Sequence, residues 1–227
     1  MPSILITGAS RGLGLEFARQ YAGEGWRVFA TCRAPDGAEA LGAVGGAVSI
    51  HRLDVGDRQG IGALADELAG EAIDVLLNNA GVYGPRNPGL ETMDYDAWAE
   101  TLRINTLSPF AMIAAFVDHV ARGDQRKIVA LSSRMGSMGD NSAGGSYIYR
   151  SSKAALNAVM KSLSIDLAGR GMTCCVLHPG WVRTDMGGPG GAIDAPESVA
   201  GMRRVIARLS PKDNGRFYNY DGAEIPW

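Results

Sequence analysis

Histidine and cysteine are scarce in this 227-residue chain, three of each. Where they fall excludes several chemistries. Cys32, Cys174 and Cys175 are odd in number and two of them are adjacent. No metal-ligand spacing appears, so they read as buried thiols in strands, which fits a reducing cytoplasm. His51, His119 and His178 have no partner at nucleophile spacing, and no G-x-S-x-G elbow is recognisable, which argues against a serine hydrolase. Excess charge is also missing. Twenty-two basic against 24 acidic side chains leave −2, so neither a nucleic-acid nor an anionic-membrane surface is expected. Apolar runs such as residues 110–117 fall well short of the ~18 residues of a membrane span. The first residues, Met-Pro-Ser-Ile-Leu-Ile-Thr-Gly, put no basic segment before their apolar stretch and do not read as a signal peptide.

What the chain does contain is an alternation of short apolar runs with longer amphipathic ones. Residues 4–6, 27–31, 47–51, 73–77, 127–131 and 173–177 read as buried strands. Residues 13–24, 57–68, 95–120 (interrupted near Pro109), 149–168 and 196–209 read as helices. Parallel neighbours require right-handed crossovers, so the alternation predicts an α/β fold, a parallel sheet with helices on both faces. Glycine and proline clusters mark the joints, among them residues 81–88, 139–145 and 187–191. No linker divides the chain, which reads as one domain spanning residues 1–227.

Two local patterns carry chemistry. The first strand runs into Thr7-Gly8-Ala9-Ser10-Arg11-Gly12-Leu13-Gly14 ahead of a helix. Such a turn lets backbone N–H groups approach a phosphate at a helix N-terminus. It departs from the G-x-G-x-x-G dinucleotide fingerprint, because Phe17 stands where a third glycine or alanine belongs, and it lacks the lysine of a P-loop. Further on, Tyr149 precedes Lys153 by four residues, so a phenol and an ammonium share one helix face. A nearby cation lowers a phenol's pKa from ~10, which makes Tyr149 a candidate general acid with a serine hydroxyl to hold the oxygen it protonates. Taken alone, the spacing equally describes a surface pair.

In order, Thr7-Gly8-x-x-x-Gly12-x-Gly14, Asn78-Asn79-Ala80-Gly81, Asn105, Ser133, Tyr149-x-x-x-Lys153 and Pro179-Gly180 resemble the short-chain dehydrogenase/reductase superfamily. These segments cover almost the whole chain. Ser132 to Ser137, Asp140-Asn141 and the ending Tyr220 to Trp227 further resemble its C-factor-like branch, which includes sniffer-type carbonyl reductases.

The resemblance implies a single Rossmann-type doubly wound sheet of about seven strands, ordered 3-2-1-4-5-6-7, with a nicotinamide cofactor across the strands' carboxyl ends. It implies that Tyr149 protonates a carbonyl oxygen, that Lys153 lowers the Tyr149 pKa and hydrogen-bonds the ribose, and that Asn105 helps hold a water leading to Lys153. Ser133 is favoured over Ser137 as the family serine because a strand end fixes its position; Ser132 and Ser137 read as capping or packing hydroxyls. Cofactor contacts are implied for Gly8, Ser10, Arg11, Gly12, Leu13 and Gly14 in the first turn, and for Asp54 and Val55 after strand three. They are implied also for Asn79, Ala80 and Gly81 after strand four, and for Pro179, Gly180, Val182 and Thr184 after strand six. Asp54 could instead be a helix cap or a turn residue.

Strand two ends at Cys32-Arg33 without the carboxylate that binds a ribose 2′-hydroxyl. Arg33 and Arg11 instead suit a 2′-phosphate, and Asp36 is expected to point elsewhere, so NADP is expected over NAD. The implied activity is reduction of a ketone, aldehyde or quinone to an alcohol. The alternative is a cofactor-binding signalling protein of the same fold, in which catalysis is secondary. Tyr83, Tyr147 and Trp181 could wall a substrate pocket, and the glycine-rich residues 187–191 read as a flexible segment, either a lid or a wide entrance. The family resemblance implies a homodimer or homotetramer through the helices at 95–120 and 149–168.

Overall fold

The computed structural model describes residues 1–86 and 89–227. Pro88, the last member of the turn cluster read at 81–88, lies outside the described residues. Seven strands form one sheet: β1 (Ser3–Ile6), β2 (Arg27–Cys32), β3 (Val48–Arg52), β4 (Val75–Asn78), β5 (Lys127–Leu131), β6 (Thr173–His178) and β7 (Arg216–Asn219). Their order is β3-β2-β1-β4-β5-β6-β7, and every pairing is parallel. Helices α1 (Gly12–Gly23), α2 (Glu39–Gly42), α3 (Arg58–Glu67), α4 (Tyr95–Leu102), α5 (Ser108–Arg122), α6 (Tyr147–Asp166) and α7 (Ala195–Arg208) complete it.

Side chains alternate between the two faces of a strand, and the core divides accordingly. Ile4, Ile6, Val75, Leu77, Val129 and Cys175 pack on one face with Phe17 of α1 and Met202 of α7. Leu5, Leu76, Ile128 and Cys174 pack on the other with Ile61 of α3, Phe116 of α5 and Met160 of α6. The adjacent cysteines Cys174 and Cys175 therefore point to opposite faces, both buried and free. Continuous apolar runs such as Ser3–Ile6 and Lys127–Leu131 are buried throughout because both faces are covered.

The sequence reading missed α2 and the edge strand β7. The pattern Arg-Phe-Tyr-Asn of β7 is short and half polar, and only Phe217 faces the deep core. The interruption expected near Pro109 lies one turn earlier, in a π-helical turn over Arg103–Leu107. Proline has no N–H for the carbonyl four residues back, and its ring crowds that carbonyl, so the distortion falls upstream, around Asn105. Ser108 spans the widened turn, its hydroxyl donating to the Arg103 carbonyl at 2.9 Å.

Through this turn α4 and α5 run as one 28-residue helix, Tyr95–Arg122, apolar and long enough to cross a membrane by length and composition. Its inward face carries polar groups that bond to neighbouring elements. Thr106 Oγ1 donates to the Ser152 carbonyl at 2.9 Å, and His119 Nε2 pairs with the Ala65 carbonyl at 3.1 Å. Those partners mark it as a core helix of this fold.

Candidate active site

The carboxyl ends of β1, β4, β5 and β6 open onto a crevice of about 350 Å³, within the ~300–1,000 Å³ typical of small-ligand clefts. One end is built by the turn after β1. Gly14 sits so close to that turn that a Cβ would stand 2.2 Å from the Gly8 carbonyl oxygen and 2.6 Å from Asn79 Nδ2. The close helix–turn contact is thus made at Gly14, and Phe17, where the fingerprint has its third small residue, can fill the core instead. Asn79 holds the turn from β4: its Nδ2 donates to the Thr7 and Gly8 carbonyls at 2.8 and 3.0 Å. Thr7 Oγ1 accepts the Asn79 and Ala80 N–H groups, each at 3.0 Å. The result is a rigid cradle of backbone amides at the start of α1, which fits a dinucleotide's phosphates.

Ser10, Arg11, Leu13, Arg33, Asp54, Val55, Ala80, Gly81, Tyr149, Lys153, Pro179 and Thr184 line the crevice; Thr184 lies beside Gly12 of the cradle and Gly81 beside Lys153. Gly180 and Val182 do not line it. Gly180 makes a tight turn against Ile193 and Tyr220, and Val182 is buried in a bridge to Ile193. Asp54 is no helix cap: its Oδ1 accepts the Gly56 N–H at 2.9 Å, while Asp57 caps α3 through Gln59. Asp36 is held by Arg52 at 3.2 Å, outside the crevice. Arg11 reaches across the mouth to Asp185 at 2.7 Å. Glu100, Arg103, Ile104, Asp185 and Met186 also line the crevice and went unread; the three-residue spacing of Glu100 and Arg103 on α4 was the one available signal.

At the crevice floor Tyr149 is 8 % exposed and Lys153 5 %. The Ser133 side chain lies near enough to the Tyr149 hydroxyl to favour its ionised form, and its Oγ accepts the Met135 N–H at 3.2 Å. Lys153 Nζ donates to the Leu131 carbonyl at 2.9 Å and lies 5.8 Å from the Tyr149 ring centre. Desolvation dominates both groups. It pushes the Tyr149 phenol up to about 12, opposed by the Ser133 side chain and reinforced by Tyr83. It pulls the Lys153 ammonium down to about 8. Burial sets the direction of the Tyr149 shift, and the Lys153 N–H is directed at a backbone carbonyl.

Asn105, in the π turn, is fully buried and clasps the Val82 peptide at both ends, Nδ2 to the carbonyl at 2.8 Å and Oδ1 from the N–H at 2.9 Å. Its Nδ2 also donates to Ser152 Oγ at 3.0 Å. Ser132 lines the crevice, whereas Asn105 and Ser133 do not. Ser132 donates to Asn157 Oδ1 at 2.7 Å, and Ser137 to the Pro226 carbonyl at 2.5 Å, so both secure packing. Tyr83 stacks on Tyr149 with centres 4.4 Å apart, whereas Tyr147 and Trp181 are largely exposed. The segment at 187–191 folds back on itself rather than hanging free. Trp181 Nε1 donates to the Gly187 carbonyl at 2.8 Å, Arg183 Nη1 to that of Gly191 at 2.6 Å, and a Cβ on Gly187 would stand 2.0 Å from the Val182 oxygen. His51 and His119 lie outside the crevice, and no metal-binding group of side chains occurs among the described residues.

A family model described as short chain dehydrogenase matches residues 2–192. The chain belongs to the short-chain dehydrogenase family. As a member of it, the chain is 46% identical over 165 residues to the C-signal of Myxococcus xanthus, covering 73% of this chain and 99% of that protein. This short-chain dehydrogenase also superposes on the carbonyl reductase Sniffer of D. melanogaster with a TM-score of 0.94, at 35% identity over 100% of both chains. An NADPH-bound carbonyl reductase from chicken fatty liver gives 0.90, at 35% identity over 100% of this chain and 99% of its own.

The different partners of the two serines separate them experimentally. Ser133→Ala is expected to lower turnover by about a hundredfold, as for loss of one oxyanion donor, and to cost about 1 kcal/mol through loss of the cap on the Met135 N–H. Ser137→Ala is expected to cost about 1 kcal/mol of folding stability with turnover nearly kept. Turnover assays and urea unfolding of both variants check this, and comparable turnover losses would contradict it.

Proposed function

We propose that this short-chain dehydrogenase reduces a ketone, aldehyde or quinone to an alcohol, with NADPH as the preferred reductant. The observation that carries this reading is that Tyr149 and Lys153 line one end of a crevice whose other end is an anion cradle, with the Ser133 side chain beside Tyr149. When bound, a reduced nicotinamide supplies the hydride. Tyr149 is protonated at neutral pH and gives its proton to the carbonyl oxygen as negative charge develops there. Ser133 holds that oxygen by a second hydrogen bond. Lys153, charged below about pH 8, stabilises the phenolate left behind. Asn105 fixes the Gly81–Val82 backbone beside Lys153, where a Cβ on Gly81 would stand 3.5 Å from Nζ.

Cofactor preference is read from charge. Arg33 is exposed at the crevice wall, Arg11 stands at the mouth, and Asp36, the nearest carboxylate after β2, is already held by Arg52. Arg33, which makes no ion pair among the described residues, favours a 2′-phosphate over a 2′-hydroxyl, and Arg11 would join it by exchanging Asp185 for the phosphate. A cytoplasmic enzyme is consistent with the three free, buried thiols. Exposed Leu107 and Phe110 on the long helix support self-association through that face, the homodimer expected from the family.

The likeness to a C-signal favours one second reading, a signalling protein that binds the same cofactor. Tyr149→Phe separates the two. Under the reductase reading it binds NADPH normally but loses at least about a thousandfold in carbonyl-dependent NADPH oxidation, and with it any cellular effect. Under the signalling reading the cellular effect persists. Wild-type turnover by Tyr149→Phe on every accepted carbonyl would refute the mechanism. For the cofactor, Arg33→Asp is expected to weaken NADPH at least about tenfold more than NADH in a binding titration; equal weakening would remove the phosphate argument.

A further inference from the structure

Tyr149 carries an aromatic neighbour that in turn carries a cation. Tyr83 leaves the loop after β4 and stacks on Tyr149, centres 4.4 Å apart and rings 17° from parallel. The Arg86 guanidinium lies over the same Tyr83 ring, 4.9 Å from its centre. It can be no farther from the Tyr149 ring than those two distances laid end to end. One of its N–H groups donates to the Met186 carbonyl at 2.9 Å, which ties it to the loop after β6 across the crevice mouth. Met186 itself lines the crevice. Among the described residues Arg86 makes no ion pair, and a guanidinium carries five donors, so most of its hydrogen-bonding capacity is unused.

The neighbouring cations are committed elsewhere. Arg134, next to Ser133, pairs with Asp140 at 3.2 Å. Arg150 gives its N–H groups to the Gly144 and Met135 carbonyls. Arg11 is paired with Asp185. Arg86, like Arg150, has no ion pair among the described residues, and of the two it is the one seated on the Tyr83 ring that stacks on Tyr149. Its geometry suits a planar carboxylate bonded through two parallel N–H groups. The ring beneath it removes water from one side, and the Met186 bond spares ordering entropy, so a pair formed there is stronger than one between free surface side chains.

We propose that Arg86, held by Tyr83 and Met186, is the specificity-determining residue for the substrate, selecting carbonyl compounds that carry a carboxylate several bonds from the carbonyl carbon. This deepens the carbonyl-reductase reading and rests on it. Tyr83 is the positioning residue of the pair: it seats the cation and covers one side of the Tyr149 ring, so the anionic end of the substrate and its carbonyl are fixed from the same aromatic stack.

The test compares 4-carboxybenzaldehyde with methyl 4-formylbenzoate, two aldehydes that share ring and carbonyl and differ in one charge. Carbonyl-dependent NADPH oxidation is measured for the wild-type protein, Arg86→Met and Arg86→Lys. The wild type is expected to favour the acid by about tenfold in kcat/KM, and that ratio is expected to shrink as salt rises. Arg86→Met is expected to bring the ratio near one, and Arg86→Lys to retain part of it. A wild type that treats both aldehydes alike, or an acid preference that survives Arg86→Met, overturns the assignment while leaving the reductase reading intact. Oxidation of NADPH with neither aldehyde nor any other carbonyl in a broad panel overturns the reductase reading, and this inference falls with it.

Discussion

Two ionisable side chains, Tyr149 and Lys153, are buried one helical turn apart at the carboxyl end of a parallel sheet. The fold accepts the energetic consequence of that burial. Water is excluded from both, so each is pushed toward its neutral form: the phenol up to about 12 and the ammonium down to about 8. For Lys153 the displacement from 10.5 corresponds to about 3 kcal/mol. Its sign is destabilising. Between about pH 8 and 10.5 the unfolded chain holds more protons than the folded one, so stability rises with pH across that window. The cost is fully present below about pH 8, the range in which the charge is useful. The single hydrogen bond to the Leu131 carbonyl offsets part of it.

Everything around the pair serves to hold it in place. β5 ends at Leu131, whose carbonyl receives Lys153, and the next residues deliver Ser132 to Asn157 of α6 and Ser133 to Tyr149. The π turn before Pro109 swings Asn105 inward, where it clamps Val82 and meets Ser152 on α6. A regular helix there would shift the register of Asn105 relative to α6, so the local distortion is what aligns the long helix with the site. At the far end Gly14 and Asn79 lock the turn after β1 to β4, and the amides it exposes face the same crevice. In the proposed reaction, a cofactor bound along these strand ends would meet a phosphate cradle at one end and the Tyr149 phenol at the other.

Sheet and helices were largely readable because their signals are local. The alternation of apolar runs and amphipathic stretches located six of the seven strands, and the family resemblance supplied their order. β7 was hidden because a four-residue edge strand with two polar ends has no distinctive pattern. The neighbourhoods of the site residues were less legible. Spacing put Tyr149 and Lys153 on one face but could not tell that Lys153 bonds a backbone carbonyl or that both groups would be buried. Nor could it separate Gly180 and Val182, which build the loop after β6, from Pro179 and Thr184, which line the crevice. Glycines at 187–191 looked like flexibility, yet the structure uses them for close backbone contact. Each of these depends on pairs distant in sequence, which composition and periodicity do not encode.

The claim on which the account rests is that burial keeps Tyr149 a protonated phenol, ready to donate. It is tested most directly by ¹³C NMR of ring-labelled tyrosine in the cofactor-free protein, titrated from about pH 7 to 11, with Tyr149→Phe to assign the signal. The account predicts that the Tyr149 resonance stays at its protonated position beyond pH 10.0, the ordinary value for tyrosine. A Tyr149 signal that titrates well below that value, toward neutrality, would contradict it.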